Sequence, residues 1–231
     1  MYGRCVGTSM RSAEVVAERL AEGVAGDAPF GQPMGETPIA DEIDLLRAEH
    51  YDLLALLLGR SPSPVTLSAL ADLKGDDSAL GRRVTGLAAA AAEAKVAAVQ
   101  REYFDLFVGV GRGELVPFAS YYLTGFLNER PLARLREDLG RLGIEASGGM
   151  SEPEDHVAIV METMAGLVAG RFEAEAGEDR AFFSRHIEPW AARFFRDLEK
   201  AEASRFYRAV GALGATYMHI EAEAFGLEPV S

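Results

Sequence analysis

The chain has 231 residues, 48% of them apolar, enough to build a continuous core in one globular body. Asp and Glu number 36 against 23 Lys and Arg, and the resulting formal net charge of -13 repels phosphate backbones, which argues against a nucleic-acid partner. Cys5 is the sole cysteine; this excludes an internal disulfide framework and any multi-cysteine metal site within one chain, and fits a reducing, cytoplasmic setting.

Residues 1–40 read as an N-terminal extension, partly flexible. A short candidate helix from about Ser12 to Val24 precedes GDAPFGQPMGETP, whose glycines and prolines break regular structure. The N-terminus lacks an apolar core ahead of a small-residue cleavage site, and no run of about 18 apolar residues follows. Neither export nor stable membrane insertion is expected. The main domain is expected over residues 41–231. Ile43, Leu46, His50, Leu53 and Leu57 recur at helical spacing and Gly59 supplies a stop, so an amphipathic helix starts near Asp41. His50 lies on its apolar stripe, where a hydrogen-bonded boundary histidine is the expected role.

After SPSP, Val65 to Leu73 reads as a short helix. Ser78 to about Phe107 reads as one long helix, because LAAAAAEAKVAAVQ is rich in strong helix formers. GVGRGELVPFAS forms the central loop, with Gly109, Gly111, Gly113 and Pro117 punctuating it. Pro131 can open the next helix, which runs to Gly143. SGGMSEP then separates it from a helix over Glu152 to Ala169, in which Ser151 and Glu154 would form a capping box and Pro153 would occupy the first turn. Further helices fit Asp179 to His186, Trp190 to Ala201, and Ser204 to about Ala224, with Pro189 enforcing a boundary. No β-alternation interrupts them. The expected fold is all-α, a single-domain bundle of roughly eight to ten helices.

Enzyme motifs are missing. There is no GxxxxGKS/T, GxSxG or HExxH, and Gly109, Gly111 and Gly113 follow a helix instead of a strand. His50, His156, His186 and His219 show no metal-ligand spacing, so no metal and no cofactor is expected. His219 and Glu223, four apart, fit a surface pair. Asp155 or Glu162 as a general base assisted by His156 is the enzymatic alternative, and it lacks a nucleophile, a metal set and a cofactor cradle. A binding protein without catalytic residues is the expectation.

The segment SEPEDHVAIVMETMAGLVAG carries most information. On a helical wheel Val157, Val160, Met164, Leu167 and Val168 share one arc, the expected core face. Asp155, Ile159, Glu162 and Gly166 share the opposite arc, with His156 at the border. Two carboxylates around an apolar residue and a glycine suit a peptide with both basic and apolar parts; a plain solvated acidic face fits the same wheel.

EPEDH, followed by an acidic residue six positions after the histidine, resembles the hallmark of the TorD/DmsD/NarJ-type redox-enzyme chaperones. YFDLFVGVG (Tyr103 to Gly111) resembles that family's Tyr-x-x-Leu-Phe-x-Gly-Pro-Gly, and VPFASYY (Val116 to Tyr122) resembles its Pro-Pro-Tyr-Glu-Ser-x-Tyr loop. FFSRHIEPWAARFFRDLEKAEASRFYRAVGAL resembles its His-x-x-Pro-Trp helix pair, so that the similarity spans about Leu45 to Glu221. The loop departs from the pattern at Val110, Val116, Phe118 and Ala119, which weakens any polar contact from it. The resemblance implies a cytoplasmic chaperone that holds the twin-arginine signal peptide of a molybdopterin-dependent oxidoreductase precursor while that enzyme matures before export. An accessory structural subunit of an oxidoreductase complex is the alternative, and a monomer or homodimer fits either. By resemblance Asp155 and His156 recognise the signal peptide. Glu152, Glu162 and Ile159 belong to the same face, and Pro117, Ser120 and Tyr122 to the facing loop; setting a turn, capping the next helix and packing are the structural roles that Pro117, Ser120 and Tyr122 fit equally well.

Overall fold

A computed structural model describes residues 4–6, 42–146 and 152–227, and the expectations for Ser12 to Val24 and for the rest of 7–41 lie outside them. Among the described residues there are ten α-helices, α1 (Glu42–Gly59), α2 (Pro64–Ala71), α3 (Ala79–Glu93), α4 (Val96–Tyr103), α5 (Ala119–Thr124), α6 (Arg130–Arg141), α7 (Val157–Val168), α8 (Glu178–Phe182), α9 (Ala191–Lys200) and α10 (Phe206–Leu227). The all-α expectation holds. Two single π turns, Phe104–Val108 and Phe183–Ile187, extend α4 and α8. One short parallel ladder, β1 (Arg4–Val6) beside β2 (Ile144–Ala146), has no counterpart in the sequence pattern; three residues are too few to show alternation.

Local chemistry fixes several starts and stops. Ser63 caps α2 by accepting the Thr66 N–H at 3.0 Å, and Ser78 caps α3 by accepting the Gly81 N–H at 2.9 Å. Pro131 stands in the first turn of α6, where its missing N–H leaves nothing unpaired. The long helix expected from Ser78 to Phe107 is divided. Ala94 and Lys95 are extended, with ψ of 135° and 126°, although neither is a helix breaker. The break lets α3 and α4 each lie against α10, so packing overrides local propensity.

Helix α7 is the most deeply buried helix among the described residues. It packs mainly on α1, while α9 crosses α10 and α2 lies on α3. Eleven of its 12 residues are buried, Glu162 being the exception. Across the core Trp190, Tyr51, Tyr207, Phe183, Phe194 and Phe195 are fully buried. Fully burying a side chain of this kind contributes about 1.5–3 kcal/mol, so a helix apolar on all sides stabilises the fold more than an amphipathic one. The α9–α10 crossing is close: a Cβ on Gly211 would come within 2.5 Å of the Glu199 backbone nitrogen. Helix α1 matches its predicted stripe only at the C-terminal end. Leu53 and Leu57 are buried, whereas Ile43 and Leu46 are 67% and 38% exposed. His50 is half-buried, its Nδ1 lies 2.8 Å from the Leu46 carbonyl, and its ring stacks on Tyr217, as a boundary histidine should.

Candidate functional site

The site expected around EPEDH begins with a correction. The helix starts at Val157, five residues later than predicted, and Pro153 belongs to the turn before it, its carbonyl accepting the His156 N–H at 3.0 Å. The capping box proposed for Ser151 and Glu154 falls partly outside the described residues, since Ser151 is among those left out. His156 is the N-cap: its Nδ1 accepts the Ala158 N–H at 3.2 Å. The side chain of Glu154 instead receives Arg136 Nε at 2.9 Å, which keeps its carboxyl below the usual range despite partial burial.

Segments 117–120 and 155–157 are laced together. Val157 N–H donates to the Pro117 carbonyl at 2.8 Å and Ala119 N–H to the Asp155 carbonyl at 2.9 Å. Between these bonds Phe118 and His156 form an antiparallel bridge, and their rings meet edge to face at 5.1 Å. Asp155 Oδ2 accepts the Ser120 N–H at 2.8 Å and the Ser120 hydroxyl. Ser120 therefore does not cap α5 through its side chain; Phe118 is the N-cap residue and offers no side-chain acceptor. Burial pushes the His156 imidazole down to about 4, so it is neutral at physiological pH and free to accept at the cap.

The strip of Asp155, Ile159, Glu162 and Gly166 is not an exposed face. Asp155 and Ile159 are 1% and 2% exposed, and Gly166 is buried with Phe172 laid over it so closely that a Cβ would collide. Glu162 is half-buried two turns further on, about 10 Å along the axis from Asp155, and its charge acts on Arg171. Glu152 is exposed ahead of the turn. Tyr122 packs near Trp190 and Phe194, with Arg193 over its ring, and burial raises its hydroxyl pKa. The structure thus brings Pro117, Ser120, Asp155 and His156 together and leaves Glu152, Ile159, Glu162 and Tyr122 apart from them.

One atom of this cluster stands out. Asp155 Oδ1 is buried and has no hydrogen-bond partner among the described residues, while Oδ2 holds two donors. A buried carboxylate oxygen left open costs free energy, so such an atom calls for an explanation. Phe118 is the neighbour that sequence reasoning misses, because the family pattern marks it only as a departure from tyrosine. No group of three or more His, Cys, Asp or Glu among the described residues could hold a metal ion. None of their helices is long and apolar enough to cross a membrane.

The family model that matches is that of the nitrate reductase delta subunit, over residues 73–196, more than half of the chain. The chain belongs to this family. The resemblance carried by EPEDH, YFDLFVGVG and the His-x-x-Pro-Trp segment is thereby shown at the family level. Among curated relatives, the chaperone protein TorD of Aliivibrio fischeri is 28% identical over 130 residues, 52% of this chain and 60% of that protein. TorD of Vibrio cholerae serotype O1 is 31% identical over 126 residues, 51% of this chain and 57% of that protein. The chain thus spans about three-fifths of the length of these relatives. A solved structure, that of a redox enzyme maturation protein from Archaeoglobus fulgidus, shares the fold with a TM-score of 0.52 at 22% identity, covering 75% of this chain and 94% of its own.

Proposed function

We propose that this delta-subunit family member is a chaperone for the maturation of a molybdopterin-dependent oxidoreductase, a binding protein and not a catalyst, and that it holds the twin-arginine signal peptide of the precursor. The observation that carries the reading is Asp155 Oδ1, a buried acceptor without a donor beside the paired Oδ2. A guanidinium is the complementary guest, because it offers planar forked donors and tolerates desolvation better than an ammonium. Access requires segment 116–120 to part from 155–157, breaking the two backbone hydrogen bonds between them at roughly 0.5–1.5 kcal/mol each and the two that Asp155 Oδ2 accepts from Ser120 at roughly 1.5–3 kcal/mol each. That opening cost is subtracted from the binding free energy and keeps the complex reversible, as a hand-over requires. Apolar burial supplies most of the affinity, and the apolar part of the signal meets Val108, which ends the π turn and is 52% exposed, and Val110, which is 97% exposed on the loop after it. His156 and Pro117 hold the two sides of the opening in register, and Glu152 at the solvent edge attracts the cationic end.

The test is capture of a molybdoenzyme precursor by the tagged full chain, with and without the precursor's signal segment. Retention of the intact precursor and loss of the truncated one is the expected result; equal retention of both overturns the reading. The family's own description as a reductase subunit favours a second reading, an accessory structural subunit. A complex of fixed stoichiometry with active enzyme that survives high salt would establish that one instead.

A further inference from the structure

A second surface of opposite character adjoins the Asp155 cluster, meeting it at Ala119. A small open cleft of about 70 Å³ sits between α5, the first turns of α6 and the π turn after α8. Ala119, Leu123, Pro131 and Leu135 give it an apolar lining, and the exposed Arg134 and Arg185 edge it. Apolar surface continues beyond the cleft. Leu123 is 41% exposed, and the turn joining it to Pro131 carries Phe126 and Leu127, which are 70% and 49% exposed.

The charges at this edge are not equivalent. Both oxygens of Asp138 receive Arg185, at 2.7 and 2.8 Å, so that guanidinium is largely neutralised. On the same helix as Arg134, Arg136 is paired with Glu154 and Arg141 with Glu178. Among the described residues Arg134 has no ion-pair or hydrogen-bond partner, in a chain with 36 acidic and 23 basic residues. An unpaired cation beside an apolar lining, on a molecule whose overall field repels anions, selects for one kind of guest: an apolar side chain with a carboxylate next to it. A basic segment of the kind assigned to Asp155 would be repelled here.

We infer that the Arg134 cleft and the 123–127 turn form a docking surface for a protein segment in which an acidic residue flanks an apolar one. This goes beyond the signal-peptide reading and does not rest on it: the two surfaces attract opposite charges, although they share Ala119. Trp190, the sole tryptophan, reports on the cleft, because its Nε1–H donates at 2.7 Å to the carbonyl of His186, a residue of the cleft wall.

The experiment titrates the full chain with two blocked, fluorescently labelled peptides, one with Leu-Phe between two glutamates and the other with Leu-Phe between two glutamines. Anisotropy at low salt gives affinity, and Trp190 emission gives the location. Wild type is expected to bind the glutamate peptide at least about threefold more tightly, which is the scale of one exposed charge pair. Arg134→Gln, at a solvent-facing position that leaves the core untouched, abolishes the preference, and Leu123→Ser weakens both peptides. Equal binding of the two peptides by wild type, an unchanged preference in Arg134→Gln, or unchanged binding in Leu123→Ser overturns the inference. None of these variants alters Asp155, so loss here with twin-arginine binding retained separates the two surfaces.

Discussion

Asp155 Oδ2 gathers both the backbone N–H and the hydroxyl of Ser120, 35 residues earlier in the chain, and so ties the central loop to the start of the most buried helix. A carboxylate used this way positions a loop before it binds anything. Asp155→Ala strands two buried donors and is expected to destabilise the fold by about 3 kcal/mol, whereas Ser120→Ala, which removes one donor with its bond, costs about 1 kcal/mol. Urea unfolding of the two single variants and the double variant measures both costs and their coupling. Additive costs would show that the pair does not interact.

Glu102 ties a second junction, that of α4 with the start of α10. From α4 it accepts the N–H groups of Arg205 and Tyr207, both at 2.7 Å, and that of Phe206 at 3.1 Å, so a buried carboxylate caps α10 in trans. Glu102→Ala is expected to cost about 2–3 kcal/mol, and Glu102→Gln clearly less, because an amide oxygen still accepts. Hydrogen exchange should show the loss first at the amides of residues 205–207.

Arg47 reaches both oxygens of the buried Glu221, at 3.0 and 2.9 Å, and Tyr51 donates to the same carboxylate at 3.0 Å. Removing one partner strands a charge: Arg47→Ala is expected to cost about 3–5 kcal/mol. Arg47→Met combined with Glu221→Leu should recover most of that, as a buried pair replaced by apolar groups of similar volume is often neutral. Thermal melts of the single and double variants compare the two, and a double variant no better than Arg47→Ala would show that the pair itself stabilises the junction of α1 and α10.

Acid should loosen the cap at His156. Its folded pKa of about 4 lies below the unfolded value of 6.5, so the unfolded chain binds more protons between these values and stability falls as pH drops through that window. The loss approaches about 3 kcal/mol near pH 4. Burial lowers His186 as well, against the pull of Asp138, and adds in the same direction. The carboxyls of Asp138, Glu154 and Glu178 lie below their ordinary range through their arginine and histidine partners, so their contributions are lost only at lower pH. Urea midpoints between pH 7 and pH 4.5 should slope less in His156→Asn, which keeps a side-chain acceptor at the cap. An unchanged slope would assign the acid sensitivity elsewhere.

How much of this was legible in the residues follows from what each signal can see. Periodicity and capping residues placed α2, α6 and the core arc Val157 to Val168, because those features depend on one element at a time. The wheel could not show that the opposite arc is also covered, since the cover comes from 117–120 and from Phe172, distant in sequence or beyond the helix end. The divide at Ala94 and Lys95 carries no glycine or proline and arises from packing on α10. The ordered motifs named Asp155, His156, Glu152, Glu162 and Ile159 on one face and Pro117, Ser120 and Tyr122 on the facing loop; which of them meet, their burial and the open Oδ1 needed coordinates.

The central claim is that Asp155 reads a guanidinium, and calorimetric titration of a twin-arginine peptide and its Lys-Lys counterpart against wild type and Asp155→Asn tests it most directly. Wild type is predicted to favour the arginine peptide by about tenfold, from forked charge-assisted hydrogen bonds, and Asp155→Asn, which keeps an acceptor for Ser120, is predicted to lose that preference. Equal affinity in all four combinations would contradict the account.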